Sequence, residues 1–155
     1  MNLTALYSEL IFEHDKRPQN AGLREPFQAE VHHVNPTCGD EITLRLNLEG
    51  DADNPTIADI SYDATGCAMS RASASIMSEL LTGHTRAEAA QTWDYFDHLM
   101  HQRGKEEGDE EIIGDGVALV GAAKFPGRVK CVLMPWKAYQ AALAEALAKR
   151  QESKG

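Results

Sequence analysis

Between Phe27 and Gly66 the apolar residues recur at every second position, and outside that stretch they recur at every third or fourth. A strand sends alternate side chains to opposite faces, whereas a helix returns to one face every 3.6 residues or so, so a small sheet must be combined with flanking helices. Phe27, Ala29 and Val31 alternate with Gln28, Glu30 and His32. Ile42, Leu44, Leu46 and Leu48 form a second alternating run, and Ala58, Ile60, Tyr62 and Ala64 a third, with turn-forming residues between Gly50 and Pro55. The expectation is three short antiparallel strands, each with one apolar face.

Leu3, Leu6, Tyr7 and Leu10 predict a helix over 3–14 that Pro18 prevents from continuing. After Gly66, the stripe Met69, Ala72, Ile76 and Leu80 predicts a second helix over 67–82, closed by Gly83. Thr85 and Glu88 have the spacing of a capping box before the stripe Ala89, Trp93, Phe96 and Met100. Val132, Trp136, Tyr139, Leu143 and Leu147 line a C-terminal helix, with Pro135 in its first turn or at a kink. The acidic, glycine-containing stretch Arg103–Gly116 reads as a mobile, solvated loop or a partner-facing insert. Covering the sheet with these helices gives an α+β fold. It has a three-stranded antiparallel sheet packed against four to five helices, as one domain over 1–150 with a disordered tail over 151–155.

The 24 acidic residues exceed the 15 basic ones, leaving a net charge of −9 that would repel a phosphate backbone, so nucleic acid is not an expected partner. No apolar run approaches bilayer length, and Met1 to Ala5 lacks the basic region of a signal peptide, so a cytoplasmic location without a membrane partner is expected. Three cysteines are an odd, low count for a disulfide scaffold and point to metal binding or catalysis.

Cys38 and Asp40 lie in the turn Asn35-Pro36-Thr37-Cys38-Gly39-Asp40 between the first two strands, and Cys67 follows the third. In a meander the start of the second strand and the end of the third fall at the same end of the sheet, so these thiols can meet. Cys131, near the start of the last helix, can join them only through tertiary folding. Three thiolates and a carboxylate would suit a tetrahedral zinc ion, with Arg128 and Lys130 offsetting the charge and the following helix N-terminus favouring a thiolate at Cys67. A cysteine can equally be buried as a small hydrophobe, and Asp40 could merely close its turn. His98 and His101 read as a solvated face, His32 and His33 point to opposite faces of a strand, and Trp93 and Trp136 read as core. Ser70, Ser73, Ser75 and Ser78 read as small residues that permit close packing.

These motifs, with Gly66-Cys67-Ala68-Met69-Ser70-Arg71 and Lys124-Phe125-Pro126-Gly127-Arg128-Val129-Lys130-Cys131, resemble the U-type iron–sulfur cluster assembly family. Leu6-Tyr7 and His14 to Asn20 extend the resemblance over nearly the whole chain. It is closer to the SufU branch than to the IscU scaffold branch. Scaffold members place histidine before the last cysteine, where this chain has Lys130, and they lack an insert like Arg103–Gly116. The resemblance implies a zinc-dependent sulfurtransferase whose partners are a SufS-type cysteine desulfurase and the Suf cluster-assembly proteins. Zinc would be held by Cys38, Asp40, Cys67 and Cys131. Cys38 would accept the sulfur, with Arg128 beside it, after a desulfurase histidine takes its place on the metal. The acidic surface would assist a transient encounter. Two alternatives stand beside this: a scaffold that assembles a transient [2Fe–2S] cluster, and a non-catalytic adaptor with a structural zinc site.

Overall fold

The period-two stretch forms β1 (Ala29–Asn35), β2 (Asp40–Glu49) and β3 (Thr56–Thr65) in the computed structural model, which describes residues 3–36 and 39–152. The order is β1-β2-β3, with both pairings antiparallel. Along β2 the buried positions are Asp40, Ile42, Leu44, Leu46 and Leu48. The alternation that buries four aliphatic residues therefore also directs the Asp40 carboxylate inward.

Two strands depart from the predicted phase. Phe27 lies before β1 and is 38% exposed, with the Arg45 guanidinium 4.2 Å over its ring. In β3 the register shifts so that Asn47 faces Asp59 while Leu48 faces Ile57, making Ala58 the extra residue of a bulge. Ile57 is thereby buried where Ala58 was expected.

The helices are α1 (Leu3–Lys16), α2 (Ala68–Leu81), α3 (Arg86–Met100), the single turn α4 (Glu110–Ile113) and α5 (Pro126–Glu152), with a 3-10 helix over Gly114–Lys124. The expected α+β architecture is borne out. α5 packs on β1 and β2, and α2 packs on β3, α1 and α5. The middle of α2 is therefore enclosed: residues 72–78 are all buried. Its serines fill the tight contacts and also bond across them, Ser73 Oγ donating to the Val132 carbonyl at 2.6 Å and accepting from Trp136 Nε1 at 3.2 Å. Trp136 also stacks on Phe96, with ring centroids 4.5 Å apart, in the centre of the core.

The capping box forms as its spacing predicted: Thr85 Oγ1 accepts the Glu88 N–H, and the Glu88 carboxylate accepts the Thr85 N–H at 2.9 Å. Those bonds hold the Glu88 carboxyl below its ordinary range. The stretch Arg103–Gly116 is not a loop throughout. α4 occupies part of it, Ile113 and Gly116 are buried, and Asp115 bonds His14. The run of acidic residues masks an apolar segment that starts at Ile112 and continues through Val117, Leu119 and Val120. Pro135 lies well inside α5, whose first residue is Pro126, so the first-turn reading of Pro135 is corrected. A proline at the start of a helix gives up an N–H that has no partner there anyway. No helix among the described residues is long and apolar enough to cross a membrane.

Candidate metal centre

The register places Asn35 opposite Asp40 and Glu41 opposite Thr65, so the end of β3 runs directly beside the start of β2. Gly66 and Cys67 follow, and Cys67 is the N-cap of α2. Gly66 has φ +130°, a conformation open to glycine and strained for other residues. A Cβ on Gly66 would overlap the Asp40 carboxylate. This close approach lets the Cys67 N–H donate to Asp40 Oδ1 at 2.8 Å, while Oδ2 faces Cys67 Sγ at 3.9 Å.

α5 brings the third group. Cys131 is 3% exposed, and its Sγ accepts from the Asn35 side-chain amide at 3.6 Å. One ligand atom each from Asp40, Cys67 and Cys131 lies within 4.8 Å of the others. Asp40 is wholly buried and Cys67 is exposed, so the group is an inward carboxylate with one thiol at the surface. Cys38 lies outside the described residues. Arg128 is exposed and stacks 4.7 Å from the centre of the Phe125 ring. It borders a groove of about 550 Å³, with Tyr7, Ile11, Phe12, Met69 and Phe125 in the wall.

The donor set fits a borderline-soft divalent ion. Ligand distances of about 2.0–2.3 Å around a tetrahedral zinc imply ligand–ligand separations of roughly 3.3–3.8 Å. The 3.9 Å Asp40–Cys67 separation is close to that range, and with every separation within 4.8 Å no pair needs more than roughly 1.5 Å of contraction. Metal ligation needs both thiols as thiolates, and unit charges 4 Å apart repel by about 4 kcal/mol at an effective dielectric of 20 unless a cation lies between them. A bound cation reverses that sign and compensates the buried carboxylate.

The motifs mark Asp40, Cys67, Cys131 and Arg128 as site residues, but not Asn35 or Gly66, and Ser70 reads from them only as a packing residue. Ser70 Oγ bonds the Cys67 carbonyl at 3.1 Å and lies 3.8 Å from Cys67 Sγ. Asn35 and Gly66 both stand inside the motifs, and a glycine directly before a helix-capping cysteine is a readable sign of close approach. A second polar cluster has no motif to mark it. His14 is buried between Ser75 Oγ at 2.7 Å from Nδ1 and Asp115 Oδ2 at 2.8 Å from Nε2. His98 and His101 are exposed and pair with Glu106 and Asp97, as a solvated face would.

The three-stranded meander with helices packed on it is an α+β fold that solved structures share. One is FiSufU of the thermophile Fervidobacterium islandicum AW-1, described as a cluster assembly scaffold for the SUF system. It superposes with a TM-score of 0.77 at 34% identity, covering 92% of this chain and 99% of that one. The model of the NifU-like N terminal domain matches residues 6–132, and the chain belongs to that family. The zinc-dependent sulfurtransferase SufU of Bacillus subtilis (strain 168) is 37% identical, over 93% of each chain. The iron–sulfur cluster assembly scaffold protein IscU of Streptococcus pyogenes serotype M1 is 35% identical, over 91% of this chain and 84% of the relative. The resemblance read from the motifs is thus borne out.

Proposed function

We propose that this chain is a zinc-dependent sulfur carrier. It accepts persulfide sulfur from a SufS-type cysteine desulfurase and passes it to the Suf machinery for iron–sulfur cluster assembly. The observation that carries the reading is the convergence of Asp40, Cys67 and Cys131 from three separate parts of the chain within 4.8 Å. The family and its SufU and IscU relatives support a role in cluster assembly. Lys130, where scaffold members carry histidine, favours the carrier.

In the proposed transfer the Cys38 thiolate attacks the outer sulfur of the partner's persulfide. The bond from that sulfur to the partner's cysteine breaks, a bond to Cys38 Sγ forms, and the electron pair leaves on the partner's thiolate. No external oxidant or reductant is consumed. Asp40, Cys67 and Cys131 would hold zinc together with Cys38, and zinc, when bound, keeps its cysteine ligands as thiolates at neutral pH. The Cys67 N–H fixes the Asp40 carboxylate, the Asn35 amide orients Cys131, and Arg128 supplies a cation that attracts an incoming persulfide anion.

The test is transfer of radiolabelled sulfur from a desulfurase preloaded with labelled persulfide. Wild type should become labelled and Cys38→Ala should not, with its zinc content and fold monitored in parallel. An alanine variant that stimulates the desulfurase as well as wild type would instead support an adaptor with structural zinc. The scaffold reading, supported by the IscU relative, takes an iron–sulfur cluster as cargo on the same donors. Stoichiometric zinc without iron in protein purified without added metal favours the carrier. Labile iron with sulfide favours the scaffold.

A further inference from the structure

Residues 116–144 contain Lys124, Arg128, Lys130 and Lys137 and no aspartate or glutamate, in a chain whose net charge is −9. None of the four makes an ion pair among the described residues; Lys16, Arg86, Arg103 and Lys105 also lack one, but no other stretch gathers four cations with no acidic residue between them. The acid-free segment brackets Cys131 and enters α5. On one side of it, Lys130 and Lys137 line a hollow of about 400 Å³ with His32, His33, Val34 and Asn35. Val34 is 49% exposed, an apolar contact point amid the cations. Asn35 joins this hollow to the candidate centre, because its amide reaches Cys131 Sγ.

We infer that this hollow is a docking surface for an acidic segment of the sulfur-donating protein, a proposal that rests on the carrier reading above. Unpaired cations beside a reactive site, on a molecule otherwise acidic, orient an encounter so that a carboxylate-bearing partner arrives at the thiols. The partner's carboxylates would face Lys130 and Lys137, and an aliphatic side chain would cover Val34. The acidic remainder of the surface, expected from net charge alone to assist the encounter, here works instead against the wrong docking poses. Both lysines act here on encounter, Lys130 in addition to its expected part in offsetting the charge of the metal group.

The experiment uses the zinc-loaded full chain as sulfur acceptor for its desulfurase, with initial rates measured against acceptor concentration at several salt concentrations. The Lys130→Glu/Lys137→Glu variant should raise KM about tenfold and lose the salt dependence seen in wild type. The Lys130→Ala/Lys137→Ala variant, which introduces no new charge, should give a smaller change of the same kind. Lys149→Glu, far along α5, should behave as wild type. Zinc content and circular dichroism confirm that each variant is folded. Unchanged KM and salt dependence in both double variants, with labelling of Cys38 intact, would sink the docking surface and leave the carrier reading standing. A fall in kcat alone would also overturn it. Absence of sulfur transfer from wild type would overturn both.

Discussion

Gly66 and Asp40 are in such close contact that a Cβ on Gly66 would lie 2.9 Å from the Asp40 Cα and would overlap the carboxylate. The candidate centre is therefore held by backbone shape as well as by its ligand atoms. Gly66→Ala would have to move β2, a neighbour that cannot yield like the end of a flexible side chain, and would also strain a φ of +130°. The expected cost is about 2–4 kcal/mol. Thermal unfolding should show a clear fall in Tm, and zinc affinity should fall with it, because the displaced group is a proposed ligand. A variant as stable as wild type would show that the turn relaxes freely.

Asp40→Asn keeps the volume and the bond from the Cys67 N–H but removes the charge. If Asp40 holds zinc, the variant should bind it at least tenfold more weakly in competition with a chromogenic chelator. Unaltered affinity would reduce Asp40 to a residue that positions Cys67.

Arg128 stands outside the group of ligand atoms, exposed and stacked on Phe125. Arg128→Ala should leave zinc content and Tm near wild type while slowing the labelling of Cys38. An undiminished transfer rate would exclude Arg128 from the reaction.

His14 ties three elements together: it sits on α1, bonds Ser75 of α2, and bonds Asp115 of the 3-10 helix. Ser75 Oγ also accepts the Gln19 N–H at 2.8 Å. His14→Ala would remove the bonds to Ser75 and Asp115 and leave a void, at an expected cost of about 2–3 kcal/mol. Hydrogen exchange should speed up first in α1, since that helix loses its buried polar anchor. Uniform acceleration across the chain would argue against such a local role.

Two buried tyrosines predict the alkaline limb of stability. Burial pushes the Tyr62 phenol up to about 12, against a smaller pull from Ser75, and burial also raises Tyr139. In the unfolded chain a phenol loses its proton near the ordinary value of 10. The contribution is thus complete below pH 10 and is lost as pH climbs from 10 towards 12. Tyr62→Phe should lose about 1 kcal/mol at neutral pH, from the bond to the Gln19 carbonyl. Its stability should then decline less steeply across that alkaline window, as read from Tm against pH. An identical slope would mean that Tyr62 plays no part.

Most elements were legible because their signals are local. Alternation gave the three strands, the stripe Met69, Ala72, Ile76 and Leu80 gave α2, and Thr85 with Glu88 marked the start of α3. The bulge at Ala58 was not legible, since it arises from pairing with β2 and leaves no mark in β3 alone. The buried half of Arg103–Gly116 was hidden because acidic residues dominate it and its apolar face becomes apparent only against its neighbours.

For the candidate centre the division is similar. The amino-acid sequence by itself determined the residue types, their motifs and the placing of Asp40 and Cys67 at one end of the sheet, because strand register depends on the order of neighbouring residues. Only the tertiary structure decided that Cys131 approaches them, that Asn35 reaches its sulfur and that Gly66 makes room for the carboxylate. Those contacts join residues up to 96 positions apart. Local preference acts over a turn or two of chain, so such distances are closed only when the helices pack on the sheet.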